Sequence, residues 1–219
     1  MSGQRGNRHR RGELDRQAVL DAAGDLLVTE GFAGVTMEGI AARAGVSRQA
    51  VHRWWPTKAD VLMDAFLQDA EERLTPADSG DLGADLRAHL RALAGFLTGS
   101  VPGAVVKALI GQAQHDQGFA LAFRTRFVDG QRRRDRLPLD RAVRRGQLPV
   151  DVGVPAALDQ LVGPVYYRAL ITGEAIDAAF TDGLVDAFLR AAHGDAGTAR
   201  PAIAAPPAAI SPPAADRSA

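Results

Sequence analysis

Apolar residues recur along this chain at the spacing of one helix face after another. Val19, Ala22, Ala23, Leu26 and Leu27 form one stripe, with Asp21, Asp25 and Glu30 opposite, which predicts a helix opening at an Asp15 N-cap. Gly31 stands where a left-handed C-cap is needed, and Phe32 follows as an anchor into the core. A second helix opens at Thr36, carries Glu38 in its first turn, turns Ile40, Ala41 and Ala44 inwards and stops at Gly45. Ser47 caps a third, which must end by Trp55 because Pro56 disfavours α conformation in its predecessor. Thr57 starts a fourth, with Asp60 as a weak capping-box partner and Val61, Leu62, Ala65, Phe66 and Ala70 on its apolar face.

Residues 75–83 (TPADSGDLG) read as a loop and a domain joint. Leu86, Leu90, Leu93, Phe96 and Leu97 then mark a helix, and 102–114 a second. A long polar-rich helix is expected over 119–145, kinked at Pro138, followed by helices over 155–172 and 176–193. No segment alternates with the two-residue period of a strand, so the fold class is all-α. The chain divides into a flexible basic arm (1–14), a three-helix helix-turn-helix unit (15–58), a helical domain entered through the fourth helix (59–193), and a tail (194–219). That tail is too rich in Pro and Ala to pack and is expected to be disordered.

At 219 residues, 46% of them apolar, the chain can bury a substantial core. Lys+Arg and Asp+Glu both number 26, so overall charge says nothing about an acidic partner. Its distribution says more, because Arg5, Arg8, Arg10 and Arg11 stand together without an acid. This arm could reach phosphate or an adjacent minor groove, or simply solubilise the chain. There is no cysteine, which excludes disulfides, zinc–thiolate sites and cysteine nucleophiles. No apolar run approaches the roughly 20 residues of a membrane span, and Arg10-Arg11 precede no apolar export segment, so a cytoplasmic protein is expected.

On a helical wheel Arg48, Gln49, His52 and Arg53 share one side of the third helix, with Ala50, Val51, Trp54 and Trp55 toward the other. An apolar backing would present the first set outward, where Arg suits guanine O6/N7, Gln suits adenine N6/N7, and all four can reach phosphate. A helical hairpin with a merely solvated face would show the same pattern. Thr57 and Lys58 weigh against that reading, since a hydroxyl, free N–H groups and an ammonium at one helix N-terminus make a phosphate clamp. Thr36 does the same one helix earlier.

Helix one ending in Gly31-Phe32, then Thr36, Ile40-Ala41, Ala44-Gly45-Val46-Ser47, Val51, Trp55-Pro56 and Lys58, resembles the N-terminal domain of TetR-family transcriptional regulators over about residues 15–66. The resemblance implies a homodimer reading a palindromic double-stranded DNA operator, and a helical C-terminal domain that dimerises through its last two long helices and binds a small-molecule effector. It carries base- or phosphate-reading roles onto Arg48, Gln49 and Arg53, and backbone-contacting roles onto Thr36 and Lys58; Ser47 and Thr57 join them at the helix starts. His52 departs from the phosphate-binding Tyr usual at its position, and Trp54 replaces a commonly polar residue, so Trp54 is read as packing first and DNA contact second.

AVRRGQLPVDV (142–152) and LVGPVYYRALITGE (161–174) are also similar to one branch of the family. This implies a dimer bundle of 155–172 and 176–193, with Leu158, Leu161, Val165, Leu170, Phe180, Leu184 and Phe188 on its apolar faces. The same stripes would serve equally well as the core of a monomer. Candidates for lining an effector pocket are Phe96, Val106, Phe119, Phe123, Phe127, Tyr166 and Tyr167, with His115 beside Asp116 as a polar anchor; plain core and a solvated helix end are the alternatives. No G-x-S-x-G elbow, H-E-x-x-H, Walker lysine or G-x-G-x-x-G fingerprint occurs, and the histidines lack metal-ligand spacing. No enzyme, metal or cofactor is therefore expected. The resemblance points to an effector-responsive repressor, and the alternative is an all-helical ligand-binding or interaction protein without specific DNA binding.

Overall fold

The computed structural model describes residues 3–194, and all regular structure among them is helical. The proposed tail (194–219) lies outside the described residues except for Gly194, which ends the last helix. The first helix, α1 (Gly3–Gly34), begins well ahead of Asp15, so residues 3–14 are helical where the sequence suggested a flexible arm. Arg, Gln, Glu and Leu are strong helix formers, and extending a helix that the core has already nucleated meets little resistance. At the other end α1 breaks at Gly31, whose φ of 68° and ψ of 170° are not helical.

Helices α2 (Met37–Ala44) and α4 (Lys58–Arg73) pack on α1, and α3 (Arg48–Trp54) packs on α2. Gly45 supplies the left-handed turn between α2 and α3 with φ 69°, and its N–H and that of Val46 close the end of α2 onto Ala42 and Ala41. Val19, Ala23, Ile40, Val51, Val61 and Leu62 are buried together beneath this unit. The same cluster runs on without interruption into the helical domain through Phe66, Phe96 and Phe127, whose rings meet at 5.2 Å (Phe66–Phe96) and 4.6 Å (Phe66–Phe127).

The segment between α4 and α5 (Leu82–Thr98) is held down and is not a loose joint. Arg141 donates to the Pro76 and Ala77 carbonyls, Arg145 pairs with Asp78 at 2.5 Å, and Gln147 donates to the Gly80 carbonyl. These partners come from α9 (Leu137–Arg144) and the turn after it. α5 is covered by α6 (Ser100–His115) and by α11 (Ala178–Gly194), to which Arg87–Asp186 and Arg91–Asp182 ion pairs tie it.

The helix expected over 119–145 is three. Asp116 caps α7 (Gln117–Phe123), which passes through a π-helical turn (Arg124–Val128) into α8 (Asp129–Asp135), and α9 follows. Pro138 sits in the first turn of α9, where its missing N–H is no loss, so it starts a helix and kinks none. Likewise 155–172 is α10 (Val154–Tyr167) plus a second π-helical turn (Arg168–Thr172) that ends at left-handed Gly173. Pro164 lies inside α10 and cannot donate to the carbonyl four residues back, a local weakness shortly before that turn.

Candidate nucleic-acid interface and the cavity of the helical domain

α3 is a seven-residue helix whose orientation is fixed from both ends and from below. At its start the Ser47 hydroxyl accepts from the Ala50 N–H at 3.2 Å, as Thr36 does from Gly39 at 3.0 Å for α2. Each keeps its own hydroxyl proton for an outside acceptor. Underneath, Val51 is fully buried and Trp55 nearly so. Arg48, Gln49, His52 and Arg53 are exposed on the opposite side, and Trp54 is half-buried with the Arg53 guanidinium 5.7 Å from its ring. Arg48 rests between Glu38 at 2.9 Å and His52, whose Nε2 accepts from its Nε at 3.3 Å. Such exposed contacts are worth at most about 1 kcal/mol and release readily to a base or phosphate.

The two residues placed at the start of α4 behave differently from the sequence-based expectation. Thr57 and Asp60 form a full capping box: the Thr57 N–H and hydroxyl both donate to Asp60, whose own N–H donates back. That carboxylate occupies the positive end of the helix, where a phosphate was expected. Lys58 turns inwards. Its ammonium donates to the Phe32 and Val35 carbonyls at 2.5 and 2.8 Å and lies 4.5 Å from the Phe32 ring. Lys58 is thus a tether that closes the turn between α1 and α2. Lys58→Ala is expected to remove about 1–3 kcal/mol of stability, by leaving those carbonyls without their charged donor, and thermal melting checks it. Unchanged melting with weakened DNA binding would return Lys58 to the phosphate role.

The C-terminal end of α3 is fastened by a residue that the sequence pattern did not single out. The Trp55 indole N–H donates to Asp64 Oδ2 at 2.8 Å, Arg16 of α1 donates to the same oxygen at 2.7 Å, and Arg126 of the π-helical turn pairs with Oδ1. Burial alone pushes the Asp64 carboxyl up, but these hydrogen bonds and the Arg126 charge outweigh it and hold its pKa below the ordinary carboxylate range. The carboxylate is therefore ionised across neutral pH, and its contribution to stability is lost only as pH falls through that lowered value. One side chain on α4 joins the first helix, the end of α3 and the helical domain.

Arg126 is the neighbour of Phe127, and Phe127 lines a cavity of about 430 Å³ between α6, the π-helical turn, α8 and α10. The cavity brings together Val106, Phe123, Phe127 and Tyr166 from the lining candidates. Phe96 lies in the core against Phe66, Phe119 packs outside the wall, and His115 and Tyr167 are exposed elsewhere. Sequence reasoning missed the polar part of the lining, Gln131, Arg132, Asp135 and Asp159. A histidine at apolar spacing in α5, His89 beside Leu86, Leu90 and Leu93, was the available signal: it is buried and meets Asp135 at 2.8 Å.

The apolar faces assigned to a dimer bundle are turned inwards. Leu158, Leu161, Val165 and Phe188 are buried within the one chain, and Leu170, Phe180 and Leu184 are half-buried against the same core. The outer faces of these helices expose Tyr167 and Ile171 on and just after α10, and Ala179, Gly183 and Ala187 at four-residue intervals along α11. Among the described residues no single helix is long and apolar enough to cross a membrane.

Residues 19–65 match the model of the bacterial regulatory proteins of the tetR family, and residues 76–188 that of the tetracyclin repressor-like C-terminal domain. Over 175 residues the chain is 39% identical to the uncharacterized HTH-type transcriptional regulator YdeS of Bacillus subtilis (strain 168), spanning 80% of this chain and 88% of that protein. Over 180 residues it is 31% identical to the DNA-binding transcriptional repressor TetR of Mycobacteroides abscessus, spanning 82% of this chain and 94% of that one. The fold superposes with a TM-score of 0.69 on the crystal structure of the TetR family transcription regulator SCO0332, 39% identical, over 80% of this chain and 96% of that structure. The capped α2–α3 pair with its exposed donor row falls inside the first match, and the helical domain with its cavity fills the second. The chain belongs to the TetR family of helix-turn-helix transcriptional regulators, a family of DNA-binding proteins and not of enzymes.

Proposed function

We propose that this regulator is a homodimeric repressor that leaves a palindromic operator when a small molecule fills the cavity of its helical domain. The observation that carries the reading is the row Arg48, Gln49, His52 and Arg53, exposed on a helix that is capped at Ser47 and backed by buried Val51 and Trp55. Base reading needs donors held on a rigid platform, and a merely solvated face does not. The relative from Mycobacteroides abscessus is named as a repressor, which favours that sign of regulation.

Coupling has a short route in one chain. Phe127 borders the cavity, its neighbour Arg126 grips Asp64, and Asp64 holds Trp55 at the end of α3. A ligand that moves the π-helical turn would pull on the reading head through two side chains. Coupling of about 1–3 kcal/mol is the usual range for such devices. Two copies would meet through the outer faces of α10 and α11, where small residues allow close helix approach and Tyr167 and Ile171 supply apolar area. Dimerisation there replaces the inward stripes as the proposed interface.

Selection of bound DNA from a random pool tests the reading. The expected product is a two-fold-symmetric sequence whose half-sites lie about 10–10.5 bp apart or a multiple of that. Failure to enrich any sequence at moderate salt would overturn it in favour of a helical ligand-binding protein.

A further inference from the structure

The cavity between α6, the π-helical turn, α8 and α10 is built of two unlike parts. Val106, Ile110, Phe123, Phe127 and Val162 make an apolar wall with two aromatic rings at its edge. Asp135 and Tyr166 stand in the same lining. Asp135 is 3% exposed, and its Oδ1 already takes two hydrogen bonds, from Gln131 Nε2 at 2.5 Å and with His89 Nε2 at 2.8 Å. Arg134 in turn donates to Gln131 Oε1 at 2.7 Å, which fixes the amide with its NH₂ toward the carboxylate. Among the described residues no hydrogen bond falls on Asp135 Oδ2, and none is made by the Tyr166 hydroxyl. Burial, with the Asp135 charge added, pushes the Tyr166 phenol far up, so it remains a neutral donor at any working pH.

Among the described residues the one fully buried side-chain polar atom without a partner is Gln147 Oε1, so Asp135 Oδ2 and the Tyr166 hydroxyl, which make no hydrogen bond, keep access to a group that enters the cavity. The charges around the cavity narrow the choice. Arg132 is engaged by Asp159 at 2.6 Å, so no free cation offsets Asp135 from within the lining. An anionic ligand would face that carboxylate. An ammonium could donate to Asp135 but could not accept from Tyr166. A ligand hydroxyl can do both, giving its proton to Asp135 Oδ2 and accepting the Tyr166 proton on its oxygen.

We propose that the cavity takes an uncharged aromatic molecule of one or two rings bearing a hydroxyl, held between Asp135 and Tyr166 with its ring system against Phe123, Phe127 and Val162. The volume of about 430 Å³ falls within the range of small-molecule sites. Aromatic walls favour aromatic ligands through offset and edge contacts. As the effector class, this rests on the regulator reading above; as a binding preference, it stands on the cavity alone.

The test is calorimetric titration of the full chain with four probes that share one skeleton: biphenyl-4-ol, 4-methoxybiphenyl, biphenyl-4-carboxylate and (biphenyl-4-yl)methanamine. The phenol should bind, the methyl ether about tenfold or more weakly because it cannot donate, and the carboxylate not at all. An amine that matched the phenol would remove the accepting role of the ligand oxygen and overturn the proposal. So would a methyl ether or carboxylate equal to the phenol, or no binding by any probe. Tyr166→Phe should weaken the phenol and the ether alike, by about tenfold, because both oxygens accept from Tyr166, and should leave the ratio between them unchanged, whereas a general loss of folding would abolish binding of both. Operator binding of the same protein is followed separately. A phenol that binds without releasing operator would retain the ligand class and refute its role as effector; loss of specific DNA binding with the probe pattern intact would refute the regulator reading alone.

Discussion

Gly183→Arg is expected to give a folded monomer whose operator affinity is reduced about 10²–10⁴-fold, the loss that follows when two linked half-site contacts become one. Gly183 lies on the exposed face of α11, four residues from Ala179 and from Ala187, and a side chain begun there meets nothing within 4 Å in the single chain. The monomer therefore has room for arginine, whereas a second copy packed closely on this face does not. Charge burial adds to the clash, because the flanking acids Asp182 and Asp186 are already paired with Arg91 and Arg87. Gly183→Ala is the control and should leave the dimer intact. Sedimentation velocity reads the oligomeric state and fluorescence anisotropy the operator affinity. A Gly183→Arg dimer with wild-type affinity would move the interface off these helices. Leu161→Glu or Phe188→Glu would be poor probes by comparison, since both side chains are buried in the chain's own core.

Trp55→Ala is expected to carry the largest cost in stability, about 3–5 kcal/mol. The residue is 3% exposed and ends α3, with its ring edge-on to Trp54 at 5.6 Å and the Arg16 guanidinium at the same distance. Its indole also donates to Asp64, so truncation opens a cavity and removes one of the donors that keep that carboxylate ionised. Trp55→Phe keeps most of the packing and loses the hydrogen bond, for about 1–2 kcal/mol. For a chain of this size each kcal/mol lowers the melting temperature by about 2–4 °C, so calorimetry separates the two variants clearly. If Trp55→Ala melted with the wild type, the platform under α3 would not be the one described.

Local signals in the sequence located the DNA-facing unit well. Thr36, Ser47 and Thr57 each accept the N-cap hydrogen bond expected of them, and Gly31 and Gly45 both take positive φ. These features act within a few residues, where spacing alone carries the physics. What escaped the sequence lies between residues far apart in the chain. Asp64 meets Arg16 and Arg126 across separations of 48 and 62 positions, and His89 meets Asp135 across 46. Lys58 illustrates the same limit from the other side: at the start of a helix an ammonium suggests phosphate, and only the folded turn reveals two carbonyls within its reach. The stripe of Leu158, Leu161, Val165 and Phe188 was correctly apolar, but a helical period records that a face is buried and not what buries it. The breaks near 124–128 and 168–172 were invisible because π-helical turns need no breaker residue at the site itself.

The central claim is that the outward face of α3 reads bases. Binding of wild type and Arg48→Ala to the selected operator, and to operators altered at one base pair per half-site, tests it most directly. The expected result is that Arg48→Ala loses about 1–3 kcal/mol of discrimination at one position in each half-site and keeps wild-type preferences at all others. Equal discrimination by both proteins at every position would contradict it.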